Sequence, residues 1–110
     1  MTFELIDLEK LGEHALSDFT AAVNEDKSFD EAFRRLVAKV EMTYGVAAKL
    51  AHREPTLEGT VAIWSKVVAL CDDVAREVKE LEGKHPGSKA SFDRILDLRN
   101  AAEFRRELHS

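Results

Sequence analysis

The residues with a capacity for chemistry are few and scattered. They are His14, His52, His85 and His109, a thiol at Cys71, adjacent carboxylates at Asp72 and Asp73, and arginines crowded near the end of the chain. Imidazoles and carboxylates bind zinc-like ions when several converge. In an up-down helical bundle, His52 and His109 fall at the same end as Glu4, Asp7, Glu54 and Glu58, which makes that end the candidate metal site. The chain has no Glu-x-x-His, the ligand pattern of di-iron bundles, and no His-Glu-x-x-His. Exposed histidines are therefore expected, with no metal and no cofactor. His85, in a turn beside Pro86, and His14, off the apolar side of its helix, belong to the same solvated class. Cys71 is the sole cysteine, which excludes an internal disulfide and a cysteine-ligated zinc. It falls on an apolar seam and reads as an inert core thiol. Asp72 and Asp73 read as exposed polar surface. No glycine-rich phosphate loop and no Gly-x-Ser-x-Gly elbow is present, so no catalytic residue is assigned and an enzyme is not the expected reading.

The last segment carries Arg94, Arg99, Arg105 and Arg106, preceded by Lys84 and Lys89. A basic face for RNA or an acidic partner has this composition, with Arg99, Arg105 and Arg106 as its candidate residues. Asp93, Asp97, Glu103 and Glu107 are interleaved, as on a solvated helix laced with ion pairs, and that reading is preferred. Leu98-Arg99-Asn100 resembles part of the Arg-Asn-x-x-x-His motif of HEPN ribonucleases, which are also helical bundles. The resemblance covers three residues, and the place of its histidine is taken here by Phe104. It implies a catalytically incomplete, RNA-associated or antitoxin-like helical protein.

The elements that position these groups follow from length and pattern. A chain of 110 residues suffices for one domain, 1–110, with one modest core. The formal charge of −5 is uneven: residues 1–31 hold nine acids against Lys10 and Lys27, and the remainder is net positive. An acidic first third disfavours nucleic acid there, because phosphates are repelled. No charge-free apolar run of about 18 residues exists, so no membrane span is expected. Met1-Thr2-Phe3-Glu4 lacks a basic n-region, so a reducing, cytoplasmic setting is expected.

The organising stretch is Leu57, Thr60, Trp64, Val67, Cys71, Val74, Val78, Leu81, an unbroken alternation of three and four residues. That is one apolar seam on a long helix. A second seam, Phe29, Phe33, Leu36, Val40, Thr43, Ala47, Leu50, follows the capping box Ser28-Phe29-Asp30-Glu31 and ends near Arg53, because Pro55 disfavours helix at Glu54. Thr56 is a natural N-cap for the next helix. A turn of about four residues makes these two helices an antiparallel hairpin. The hairpin is expected to set Trp64 against the small residues of the Gly45–Ala48 region (Gly45, Val46, Ala47, Ala48), so that Gly45→Leu would overpack. The first helix covers Asp7 to Val23, with Asp7 as N-cap and Gly12 as a weak point near its start. Asn24-Glu25-Asp26-Lys27 is a polar turn. Gly83 is expected as a C′ residue, Pro86-Gly87 as a turn, and a last helix from Ser88 or Ser91 to about Leu108. The fold class is all-α: an up-down four-helix bundle built on a long antiparallel helical hairpin.

The organising helix is broader than one seam requires, since Ile63, Val68 and Leu70 widen its stripe. One use of the extra width is a central position between two neighbours. The other is an interface, with Ile63 and Leu70 left over for a partner and Phe104 on a second side of the last helix. On that reading the protein is a non-enzymatic interaction or regulatory module, with self-association into a homodimer as one form. Leu70→Glu would then weaken association and leave a folded monomer. An RNA-associated protein and a metal-binding bundle are the alternatives.

Overall fold

Ser28 and Thr56 each close the start of a long helix. The Glu31 amide donates to Ser28 Oγ at 3.3 Å, and the Gly59 amide donates to Thr56 Oγ1 at 3.0 Å. Each hydroxyl satisfies an amide that the first helical turn leaves without a partner. Glu54 adds to the second cap, its Oε1 accepting from both the amide and the hydroxyl of Thr56. The computed structural model describes residues 5–25, 28–85, 87 and 90–109, with backbone alone at 5 and 6. Its elements are α1 (Leu5–Asn24), α2 (Phe29–Arg53), α3 (Leu57–Glu82) and α4 (Asp93–His109). Asp26, Lys27, Pro86 and Ser88, expected in turns or at a helix start, lie outside the described residues, as does Glu4. Among the described residues there is no strand, and the all-α bundle is the fold.

Both predicted seams face inward. Phe29, Phe33, Leu36, Val40, Thr43 and Ala47 of α2 are buried against Thr60, Trp64, Val67, Cys71, Val74 and Val78 of α3 and the neighbouring helices. Leu57, the first member of the α3 seam, is exposed instead. The two buried threonines donate to the carbonyl one turn back, Thr43 to Lys39 at 2.8 Å and Thr60 to Thr56 at 3.0 Å. A hydroxyl in the core is tolerated when it is bonded in this way. Among the described residues, no buried side-chain nitrogen or oxygen lacks a partner.

The α2–α3 hairpin is the middle of the molecule. Helix α1 packs on α2 and α3, and α4 packs on α3 and α2. Among the described residues α1 and α4 do not approach one another. The bundle is correspondingly flat, with extents of 47 × 27 × 16 Å. Ion pairs mark the register: Lys39 with Asp18 at 2.7 Å, Lys66 with Glu9, Arg94 with Glu41 at 2.9 Å, and Arg99 with Asp72 at 2.6 Å. All have exposed or half-exposed partners, so they align helices more than they stabilise them.

Four local expectations are corrected. Asp7 lies in the first turn of α1 rather than at its cap, because the helix already starts at Leu5. Gly83 caps α3 in the right-handed helical region (φ −62°), and the left-handed position falls at Gly87 (φ +90°), where only glycine is unstrained. Helix α4 begins at Asp93, with the Phe92 carbonyl accepting its first amide bond from Leu96 at 2.8 Å. Just before it, the Ala90 amide donates to Glu82 Oε2 at 2.8 Å, while Phe92 meets Phe33 edge to face.

Gly45 is the fourth. It is exposed, and a Cβ built there meets nothing within 4 Å, so it does not face Trp64. The indole packs on Tyr44 instead, with ring centroids 5.1 Å apart. Gly45→Ala is therefore expected to stabilise the protein by about 0.5–1 kcal/mol, through helix propensity alone. A lower urea midpoint for that variant would refute the placement of Gly45.

Candidate functional site

Chemistry first. Among the described residues no group of three histidine, cysteine, aspartate or glutamate side chains gathers as a metal site would. His14, His52 and His109 are exposed. His85 is half-buried with its ring 6.0 Å from that of Phe29, so it packs rather than standing in solvent. A cleft of about 640 Å³ lies between α1 and α2, floored by Ala15, Phe19, Ala32 and Leu36. Its rim cations are already taken: Lys39 bonds Asp18, and Arg35 bonds Glu31 at 3.0 Å. The Lys39 hydrogen bond and charge hold the Asp18 carboxyl below its ordinary range. Ser28, the hydroxyl in the lining, is the α2 cap. Nothing in the cleft pairs a nucleophile with a base.

Cys71 is buried, and desolvation pushes its thiol up to about 11, with the Asp72 carboxylate adding to the rise and Arg99 opposing it. A protonated, inaccessible thiol is a poor nucleophile. Its folded-state value lies above that of the unfolded chain, about 8.5. As pH rises past that value the unfolded chain releases the proton and the folded one keeps it. Stability is then expected to fall between about pH 8.5 and 11, by roughly 3 kcal/mol in all. Urea melts across that range for wild type and Cys71→Ala should diverge; parallel profiles would refute the assignment.

The arginines of α4 are engaged by the bundle. Arg99 donates to Asp72 on α3 and to Glu103 at 2.8 Å, and Arg106 donates to Glu103 at 3.4 Å. Arg105 reaches across to α2, donating through Nε to Tyr44 Oη at 3.0 Å, with its guanidinium 5.3 Å from the centre of the Trp64 ring. Arg94 donates to Glu41 on α2 at 2.9 Å. The candidate basic face of Arg99, Arg105 and Arg106 is thus not one open surface. Its members are split between two flanks of α4 and bonded inward. Asp72, expected as plain polar surface, is the α3 anchor for one of them.

The expected interface residues also separate. Ile63 and Leu70 are 5% and 8% exposed and belong to the core, which corrects their placement on an open flank. Helix α1 covers Leu70. A Cβ at Gly12 would stand 2.9 Å from Leu70 Cδ1, so glycine there permits the close approach and is a packing residue rather than only a weak point. Phe104 does lie outward, 61% exposed, with Leu108 at 63% and Leu96 at 48%. Helix α4 thus buries Ile95, Leu98 and Ala102 on one side while presenting Leu96, Phe104 and Leu108 on the other. Such two-sidedness is legible in the irregular spacing of its apolar residues, but which side meets the bundle is not. Leu57, first in the α3 alternation, is an exposed apolar residue at the same end of the bundle as Leu108. No helix among the described residues is long and apolar enough to cross a membrane. Comparison with protein-family models, with curated proteins and with solved structures finds no match for this chain.

Proposed function

We propose that this protein is a non-enzymatic interaction module that docks a protein partner, or a second copy of itself, on the outward side of α4. One observation carries the reading: α4 has a complete inner set of core residues and still leaves Phe104, Leu108 and Leu96 in solvent. Large apolar side chains grouped on one side of one helix are the kind of surface that partners cover. Supporting it, Cys71, Asp72, His85 and the arginines of α4 are engaged in packing, hydrogen bonding or ion pairing.

The test compares wild type with the double variant Phe104→Ser/Leu108→Ser. As exposed substitutions, these should change stability by no more than about 0.5 kcal/mol each. Light scattering on a sizing column, across a concentration range, reads self-association. A partner retained from lysate by wild type and not by the variant is then rebuilt from purified components. Equal behaviour of the two proteins in both assays would sink the reading. The RNA-associated alternative requires Arg99, Arg105 and Arg106 to exchange their present partners for phosphates. Nucleic-acid absorbance in the sizing peak, lost steeply with salt and on Arg105→Glu, would favour it.

A further inference from the structure

We infer that copies of this chain stack head to tail, the outward side of α2 in one copy covering the outward side of α3 in the next. This contact is separate from the outward side of α4. The two sides carry opposite charge. At 100° per residue, Arg34, Ala38, Met42, Gly45, Lys49 and Arg53 share about 100° of arc on the side of α2 turned away from α3, and all are exposed. Among the described residues, Arg34, Lys49 and Arg53 have no acidic partner. The nearby charges largely cancel: Arg35 is paired with Glu31, Arg94 with Glu41 at the α4 border, and Lys39 with Asp18 at the α1 border. Asp7 and Glu25 of α1 are also engaged, and Arg105 adds its charge to this side while donating to the neutral Tyr44. Asp30 stands about 90° off the centre of the arc, in the first turn of α2.

The side of α3 turned away from α2 carries Glu58, Ala62, Ala69, Asp73, Glu77 and Glu80, all exposed or half-exposed. Asp73 is paired with Arg76, and on the borders Lys66 is paired with Glu9 and Asp72 with Arg99. Glu58, Glu77 and Glu80 remain, with Lys79 about 110° off the centre of the arc. One side is thus net basic and the other net acidic, and complementary potentials select partner and orientation.

Spacing agrees with sign. Arg34, Ala38, Gly45, Lys49 and Arg53 recur at intervals of four, seven, four and four residues, and so do Glu58, Ala62, Ala69, Asp73 and Glu77. Laid parallel in that register, the helices bring Arg34 level with Glu58 and Arg53 with Glu77. Lys49 then stands level with Asp73, whose charge Arg76 shares, and Ala38 and Gly45 stand level with Ala62 and Ala69. Small residues at such a contact let two helix axes approach closely. Within one copy a Cβ at Gly45 meets nothing within 4 Å, so the glycine weakens α2 without serving the core. A helix packed over it uses that space. Because the two sides lie on opposite sides of the α2–α3 hairpin, each copy added leaves one of each kind uncovered, and growth continues past a dimer unless a ring closes. A nucleic acid also seeks cations, but here Ala38, Met42 and Gly45 interrupt them over about 28 Å, on a protein of net charge −5.

Sedimentation velocity of the full chain at low salt, over a concentration series, is the test. The average mass of wild type is expected to climb past a dimer and to fall towards the monomer as salt rises. Arg34→Glu/Arg53→Glu and Glu58→Lys/Glu77→Lys should each stay monomeric, since each makes both sides alike in sign. Mixed one to one they should associate again, and both remain net negative, so overall charge does not draw them together. All four substitutions in one chain exchange the signs and should restore stacking. Gly45→Leu, a change that favours helix, should weaken association about tenfold or more by blocking close approach. Circular dichroism of every variant should match wild type, and Lys49→Glu and Glu80→Lys probe the same two sides at other positions.

A wild type that stays monomeric at low salt up to about 1 mM, or a mixture no heavier than either variant alone, overturns the inference. Association that survives both reversals and is lost on Phe104→Ser/Leu108→Ser overturns it too, and leaves the α4 side as the interaction site. Nucleic-acid absorbance in the wild-type peak, lost on Arg34→Glu/Arg53→Glu with no self-association of the stripped protein, overturns the second copy in favour of a phosphate backbone.

Discussion

Leu70→Glu is expected to cost the protein its fold, not a partner. The substitution removes a buried leucine and places a carboxylate beneath α1, where Gly12 has no side chain to move aside. Losing the leucine costs about 2–4 kcal/mol, and leaving a polar group under-satisfied there adds about 1–3 kcal/mol. Together these are a large part of the roughly 5–15 kcal/mol that holds a small domain folded. Far-UV circular dichroism in urea should show the midpoint collapsing, with Leu70→Gln recovering part of the loss. A wild-type midpoint with reduced self-association would instead put Leu70 on a surface and reverse the packing of α1. Gly12→Leu approaches the same contact from the other side and should also destabilise, by roughly 1–3 kcal/mol through overpacking.

Trp64→Ala should cost about 3–5 kcal/mol, the range for deleting a large buried aromatic. The indole is 1% exposed and joins three helices: it sits on α3, touches Tyr44 of α2, and carries Arg105 of α4 over its ring. Since Trp64 is the only tryptophan, the loss must be followed by circular dichroism rather than emission. The emission of wild type serves a companion experiment. Arg105→Ala uncovers one side of the ring and should shift emission to the red. The stability change should be small, about 0.5–1 kcal/mol, because the cation–π contact is made near the surface. A loss as large as that of Trp64→Ala would mean that Arg105 holds α4 in place.

The parts of this fold legible in the sequence are those that periodicity and capping encode. Alternation by three and four placed Phe33, Val40, Trp64, Cys71 and Val78 inside, and Ser28, Thr56 and Pro55 set the helix boundaries because their effects act within one turn. Periodicity says which residues share a side and nothing about what that side meets. Ile63 and Leu70 were therefore ambiguous between core and interface until α1 lay across Leu70. Gly45 and Gly12 show the same gap in opposite directions. Identical in type and both within helices, one faces open space and the other a leucine methyl. In the candidate surface Phe104 was found by its position off the inner stripe. The pairing of Arg99 and Arg105 was beyond reach, since their partners lie 27 and 61 residues away in the chain.

The flat arrangement, in which α1 and α4 share the hairpin without touching, carries an energetic consequence. Substitutions on the outward sides of these two helices have no common neighbours, so their free-energy changes should add to within about 0.3–0.5 kcal/mol. A ligand held by Phe104 and Leu108 would slow amide exchange along α4 and its contacts on α3. The local opening of α1 would continue at its own rate. Evolution or engineering can thus rework the outward side of α4 without renegotiating the packing of α1 on the opposite edge.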